Sequence, residues 1–233
     1  MLSQWWTVLH PPYTVWHLSY VALGAALAPK LSWAALAMTI AAFFLAVGIA
    51  AHALDEINGR PLGTAIGSRT LAVVAVLSLT GAVLLGIRLL PVAGPALIPC
   101  IAVGVVLVFG YNLELFGGRL HTDLAFAAAW GGFPALVGFL AQGPPLTKPV
   151  AAGALCLSVA ATGLSYVQRR LSTPVRLVRR RVATVDGAMT MSDGTQRALD
   201  RSTLLAPLEA ALKTLSVTMP ILAIALLLTR VST

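Results

Sequence analysis

The segment Ala51-His52-Ala53-Leu54-Asp55-Glu56-Ile57-Asn58-Gly59-Arg60 sets an imidazole three and four residues ahead of two carboxylates. On a helix, that spacing puts His52, Asp55 and Glu56 on one face. They follow a long apolar run, so they belong near the rim of a membrane, where ionisable groups are costly unless paired, hydrated or bound to metal. A second set runs from Tyr111 to Asp123. Glu114 ends one apolar run and Asp123 starts the next, and a Gly117-Gly118 turn is expected to bring them, with His121, to the depth of His52 and Asp55. A third set is Gln168-Arg169-Arg170-Leu171-Ser172-Thr173-Pro174-Val175-Arg176, followed by Arg179, Arg180 and Arg181. Fixed guanidinium charge beside hydroxyl donors suits a phosphate or diphosphate. Each set also has a plainer reading. Asp55 and Glu56 can pair with Arg60 or Arg69, and Asp123 can share a helix N-cap with Thr122. The arginines can serve as a topology signal or a contact for anionic lipid. His10 and His17 read as interfacial residues.

These residues must be carried by membrane helices. Of 233 residues, 58% are hydrophobic and 10% charged, whereas a soluble domain carries about 25% charged residues. Apolar runs long enough for a bilayer predict spans near 14–29, 33–55, 70–90, 94–112, 123–141, 148–167 and 214–230. The count is seven, or eight if the amphipathic stretch Ser202 to Leu215 is an element of its own. One all-α transmembrane domain over 1–233 is expected, with a basic cytoplasmic loop at about 168–213. Arg60, Arg69, Arg119, Arg169, Arg170, Arg176, Arg179, Arg180, Arg181, Arg197, Arg201 and Lys213, twelve of the sixteen Lys and Arg, fall on one side. The positive-inside rule makes that side cytoplasmic and puts the N-terminus there, in a multi-pass cell-membrane protein. Every Asp, Glu and His falls on the same side, which topology does not require and a polar site would. Cys100 and Cys156 lie in apolar runs and read as buried hydrophobes. The N-terminal segment, with Trp5, Trp6, Tyr13 and Trp16, reads as an interfacial anchor, not a cleaved signal. Basic charge at a membrane face does not suggest nucleic acid.

From Pro11 to Val175 the chain resembles the UbiA superfamily of intramembrane prenyltransferases. The resemblance rests on Pro11-Pro12-Tyr13-Thr14 with the small-residue end Gly24 to Ala28, on His52 to Leu62 with its Arg60-Pro61-Leu62 turn, and on the Tyr111-Asn112 hairpin followed by Ala129 to Gly138. It implies Mg²⁺ held by two Asp-rich motifs, an isoprenyl diphosphate substrate, and an acceptor that attacks the allylic carbocation. Asp55 would match an Asp of the first motif and Arg60 the basic residue near the diphosphate. The chain departs from the family where His52 replaces Asn-Asp. It departs again where Ser165 to Thr173 replaces the second Asp-rich motif.

Three functions follow as expectations. In the first, a divergent prenyltransferase acts on a lipid-soluble isoprenoid at the cytoplasmic face. Asp55 and His52 are catalytic, Asp55 and Glu56 hold one Mg²⁺, and Arg60, Arg119, Arg169, Arg170 and Arg176 bind the diphosphate. In the second, His52, Asp55, Glu56, Glu114, His121 and Asp123 hold a dinuclear Fe or Mn centre of an oxidoreductase, since mixed imidazole and carboxylate donors suit those metals better than Mg²⁺. In the third, the scaffold binds lipid without catalysis.

Overall fold

A computed structural model describes residues 2–115 and 117–231. Among them the helices are α1 (Leu2–Leu9), α2 (Pro11–Leu27), α3 (Trp33–Ile57), α4 (Ser68–Ala93), α5 (Leu97–Asn112), α6 (Asp123–Leu140), α7 (Lys148–Arg181) and α8 (Arg201–Leu228). Each segment expected to span is therefore helical. Five of them, α3, α4, α6, α7 and α8, are long and apolar enough to cross a membrane, and α5 is a shorter apolar helix. Outward-facing Val76, Leu77, Leu84, Val159, Ile221 and Leu228 are more than half exposed, a pattern water disfavours and lipid satisfies.

Local chemistry sets the helix ends. Pro11 and Pro12 open α2, where a missing N–H costs nothing. The Ser32 and Thr122 hydroxyls accept from the N–H groups of Ala35 and Ala125, capping α3 and α6, so the α6 cap is Thr122 and not Asp123. Gly59 and Gly94 turn the chain after α3 and α4 with φ of 88° and 76°.

Small residues let the central helices touch along their backbones. A methyl group at Gly24 would overlap the Ala135 carbonyl, and one at Gly138 would overlap the Val21 carbonyl. Thus α2 and α6 cross with no side chain between them. Gly131 and Gly132 do the same against Ala161 and Ser158 of α7. α2 lies inside the bundle, with Trp16, Tyr20, Val21 and Ala25 at most 2% exposed.

Two expectations change. The basic stretch from 168 is not a loop: α7 continues through Pro174 to Arg181. At 34 residues it is roughly 50 Å long, well beyond the ~30 Å hydrocarbon core. The Ser202–Leu215 stretch is not a separate element either, because it is the first part of a continuous α8. Both extensions hold each other. Arg201 donates to the carbonyls of Val178, Arg179 and Val182 at the end of α7, Asp200 caps α8 through Thr203 N–H, and Arg179 pairs with Glu209. Only 182–200 remains a connection, carrying a short antiparallel hairpin of β1 (Ala188–Thr190) and β2 (Gln196–Ala198).

Candidate functional site

The chemistry-bearing ends meet at one end of the bundle. There a cavity of about 490 Å³ is lined by His10, Tyr13, Trp16 and His17 of the α2 region, by Val47, Ala51, His52 and Asp55 of α3, and by Tyr111 and Asn112 of α5. His121, Phe126 and Trp130 of the α6 region, Gln168, Arg169, Ser172, Val175, Arg176 and Arg180 of α7, and Leu212 and Ser216 of α8 complete it.

Two helices of this wall open into π-helical turns where they border the cavity, α3 over Phe44–Ala51 and α6 over Ala128–Gly132. Such turns are rare and concentrate at functional sites. The wider turn gives an imidazole access to a main-chain oxygen in each. His17 Nδ1 lies 2.5 Å from Trp130 O, and His52 Nδ1 lies 3.1 Å from Gly48 O. The Tyr13 ring packs edge-on to His17 at 4.5 Å and to His52 at 6.2 Å. His10, at the corner between α1 and α2 in a left-handed conformation (φ 43°), stacks on His52 at 6.3 Å. Burial pulls the His10 imidazole below its ordinary value, and Arg176 and Arg180 add to that in the same direction.

On the opposite wall stand the arginines of α7. Arg169 lies over the Phe126 ring at 4.9 Å and bonds Asp123 at 3.2 Å. Arg180 donates to the Pro61 carbonyl. Arg176 bonds Thr173 of its own helix and has no carboxylate partner among the described residues. Asp55, the one carboxylate lining the cavity, likewise has no hydrogen-bond or ion-pair partner among the described residues.

Of the site residues singled out from sequence, His52, Asp55, His121, Arg169 and Arg176 line this cavity, and the others do not. Glu56 faces away and is fully buried. Its carboxylate accepts from Leu62 N–H at 2.9 Å and from Thr64 N–H and Oγ–H at 2.7 and 2.8 Å, so it organises the loop after α3. Arg60 is committed to that loop as well, through Ile66 O, Thr64 O and Ser68 Oγ. Glu114 turns to His121 at 3.8 Å and stays half exposed. Asp123 is held by Arg169 and Arg170, which also takes Arg170 away from the cavity. Arg119 is exposed in the turn that follows Gly117-Gly118.

This distribution bears on metal binding. A two-metal site needs carboxylates or imidazoles converging in groups, and no group of three His, Cys, Asp or Glu among the described residues converges in that way. Glu56 has spent its oxygens on the loop, and Asp123 has spent its own on arginine. The donor set does not fit paired Mg²⁺, nor a dinuclear Fe or Mn centre built from the six residues expected.

From sequence, His10, Tyr13 and His17 read as interfacial residues, and Gln168 and Arg180 only as part of the basic stretch; the structure lines the cavity with all five. The first three repeat at i, i+3 and i+7, a helical face that could have been read as a polar stripe. No family model matches the chain, and no curated protein or solved structure is detectably similar to it.

Proposed function

We propose that this chain is an integral membrane enzyme that acts on a lipid-soluble isoprenoid diphosphate, with its active site at the basic, cytoplasmic end of the bundle. The single observation that carries the reading is the charge pattern of the cavity. Three guanidinium groups, Arg169, Arg176 and Arg180, face a wall with one carboxylate, Asp55, between apolar and aromatic sides. Such a space favours an amphiphile with an anionic head. The resemblance to UbiA prenyltransferases supports the isoprenoid class.

Arg176 and Arg180 would hold the terminal phosphate oxygens, and Arg169, fixed by Asp123 and Phe126, would set the inner end of the clamp. When the carbon–oxygen bond to the diphosphate breaks, the electron pair leaves with the diphosphate, and the arginines stabilise that charge. The faces of Tyr13, Phe126 and Trp130 would attract the positive carbon left behind. Guanidinium groups would do here what paired metal ions do in the family that the chain resembles.

The test is binding of farnesyl diphosphate to detergent-purified protein, followed by release of pyrophosphate. Arg176→Gln is expected to weaken binding by about 10- to 100-fold, the value of a hydrogen bond to a charged group. EDTA is expected to leave binding largely intact. Unchanged affinity in Arg176→Gln would overturn the proposal. Binding without any pyrophosphate release would leave lipid binding as the function.

A further inference from the structure

The cavity has a second chemical end, opposite the arginines. A main-chain carbonyl can only accept, so the contacts of His17 Nδ1 with Trp130 O and of His52 Nδ1 with Gly48 O fix the proton of each ring on Nδ1. The other nitrogen, Nε2, is then a bare lone pair. For His17 that consequence shows directly: the residue is 1% exposed, and its Nε2 is buried without a partner among the described residues. Buried unpartnered polar atoms are rare and call for an explanation. Three more line the same cavity: Tyr111 Oη of α5 and Gln168 Oε1 of α7, which can accept, and Trp16 Nε1 of α2, a donor. Asp55 stands one turn after His52 and adds acceptors only. The α2–α3 side thus gathers the imidazole and carboxylate acceptors, with the Trp16 N–H as a donor among them, and α7 gathers the guanidinium donors. A diphosphate satisfies the donors and leaves the acceptors unmet.

We propose that His17 and His52 form an acceptor pair for the hydroxyl group of a second, lipid-soluble ligand, with His52 Nε2 as the base that receives its proton. The inference rests on the isoprenoid diphosphate reading for its reaction, though not for its binding. In that reaction the hydroxyl oxygen bonds to the allylic carbon as the carbon–oxygen bond to diphosphate breaks. The hydroxyl proton passes to His52 Nε2, and the diphosphate departs with the bonding pair. His17, too enclosed to receive the proton itself, positions the hydroxyl and Tyr13.

The experiment uses the full chain in detergent micelles, labelled with ¹⁵N-histidine, and a matched pair of probes, 1-decanol and decyl methyl ether. His52 and His17, assigned from His52→Phe and His17→Phe, are expected to show protonated Nδ1 and unprotonated Nε2. Decanol is expected to move the His52 Nε2 resonance and to bind about tenfold tighter than the ether, the effect of one net hydrogen bond. His52→Phe, which keeps a ring of similar shape, is expected to remove that preference. Protonated Nε2 on His52 in the unliganded wild type would overturn the inference, and so would equal wild-type affinity for alcohol and ether, an outcome that needs no variant. Failure of the diphosphate reading would show separately, as farnesyl diphosphate binding that ignores Arg176 while the alcohol preference persists.

Discussion

Glu56→Ala separates a structural carboxylate from a ligand-binding one. Glu56 is fully buried and accepts three hydrogen bonds, two from the main-chain N–H groups of Leu62 and Thr64 and one from the Thr64 hydroxyl. Removing the carboxylate leaves both amides without an acceptor, and each such loss costs about 1–3 kcal/mol. Leu62 and Thr64 are half-buried, so water can reach part of the gap, and the lower half of that range applies. The hydroxyl can rotate to another partner and adds little. The expected destabilisation is therefore about 2–4 kcal/mol. The assay is reversible unfolding of the purified protein in mixed micelles of mild detergent and SDS, followed by tryptophan fluorescence. Glu56→Gln keeps one acceptor oxygen and is expected to recover about half of the loss. Asp55→Asn, which removes no hydrogen bond seen among the described residues, is expected to unfold as the wild type does. Wild-type unfolding of Glu56→Ala, or a greater loss in Asp55→Asn, would refute this division between neighbouring carboxylates.

Two further perturbations probe the frame. Gly138→Ala drives a methyl group into the Val21 carbonyl and is expected to cost at least the ~1–3 kcal/mol of an overpacked core. Thermal aggregation in detergent would show it, and an unchanged midpoint would mean that α2 and α6 do not cross backbone to backbone. The Asp200 cap supplies a pH test: hydrogen bonds from Thr203 and Ser202 hold its carboxyl down at about 2. A depressed carboxyl stabilises above its unfolded value near 4. Protection of the first α8 amides from hydrogen exchange is therefore expected to hold above pH 4 and to fade between about 4 and 2. Loss of protection already at pH 6 would contradict the cap. His10 works in the opposite direction, since burial disfavours its charged form. Stability is expected to be full above its ordinary value of 6.5 and to decline as pH falls below it, an effect that His10→Asn removes in the same unfolding assay.

Helices and their approximate limits were legible in the chain because a bilayer imposes length and apolarity on each crossing segment, independently of its neighbours. Pro11-Pro12, Ser32, Thr122 and Gly94 mark helix ends by chemistry that acts within a few residues. The gathering of ionisable groups at one end was legible for the same reason, since alternate helix ends face the same side. His52, Asp55, His121, Arg169 and Arg176 line one cavity there, from facing helices. The continuation of α7 through Pro174 was not legible. It depends on Arg201 and Glu209, which lie beyond the hairpin and meet α7 only in the folded chain.

Side-chain direction belonged to the tertiary structure alone. Asp55 and Glu56 are adjacent and chemically alike, and a helix turns them about 100° apart. One therefore faces the cavity, while the other faces a loop whose amides need an acceptor. Spacing could place both near the membrane rim, but only the packing of Leu62 and Thr64 beneath α3 assigned them different work. His17 and His52 likewise meet carbonyls that π-helical turns expose, and no local residue pattern specifies those turns. Composition and periodicity determined which groups reach the end of the bundle, because each helix obeys the membrane by itself. Contacts between helices decided which of those groups remain free to bind.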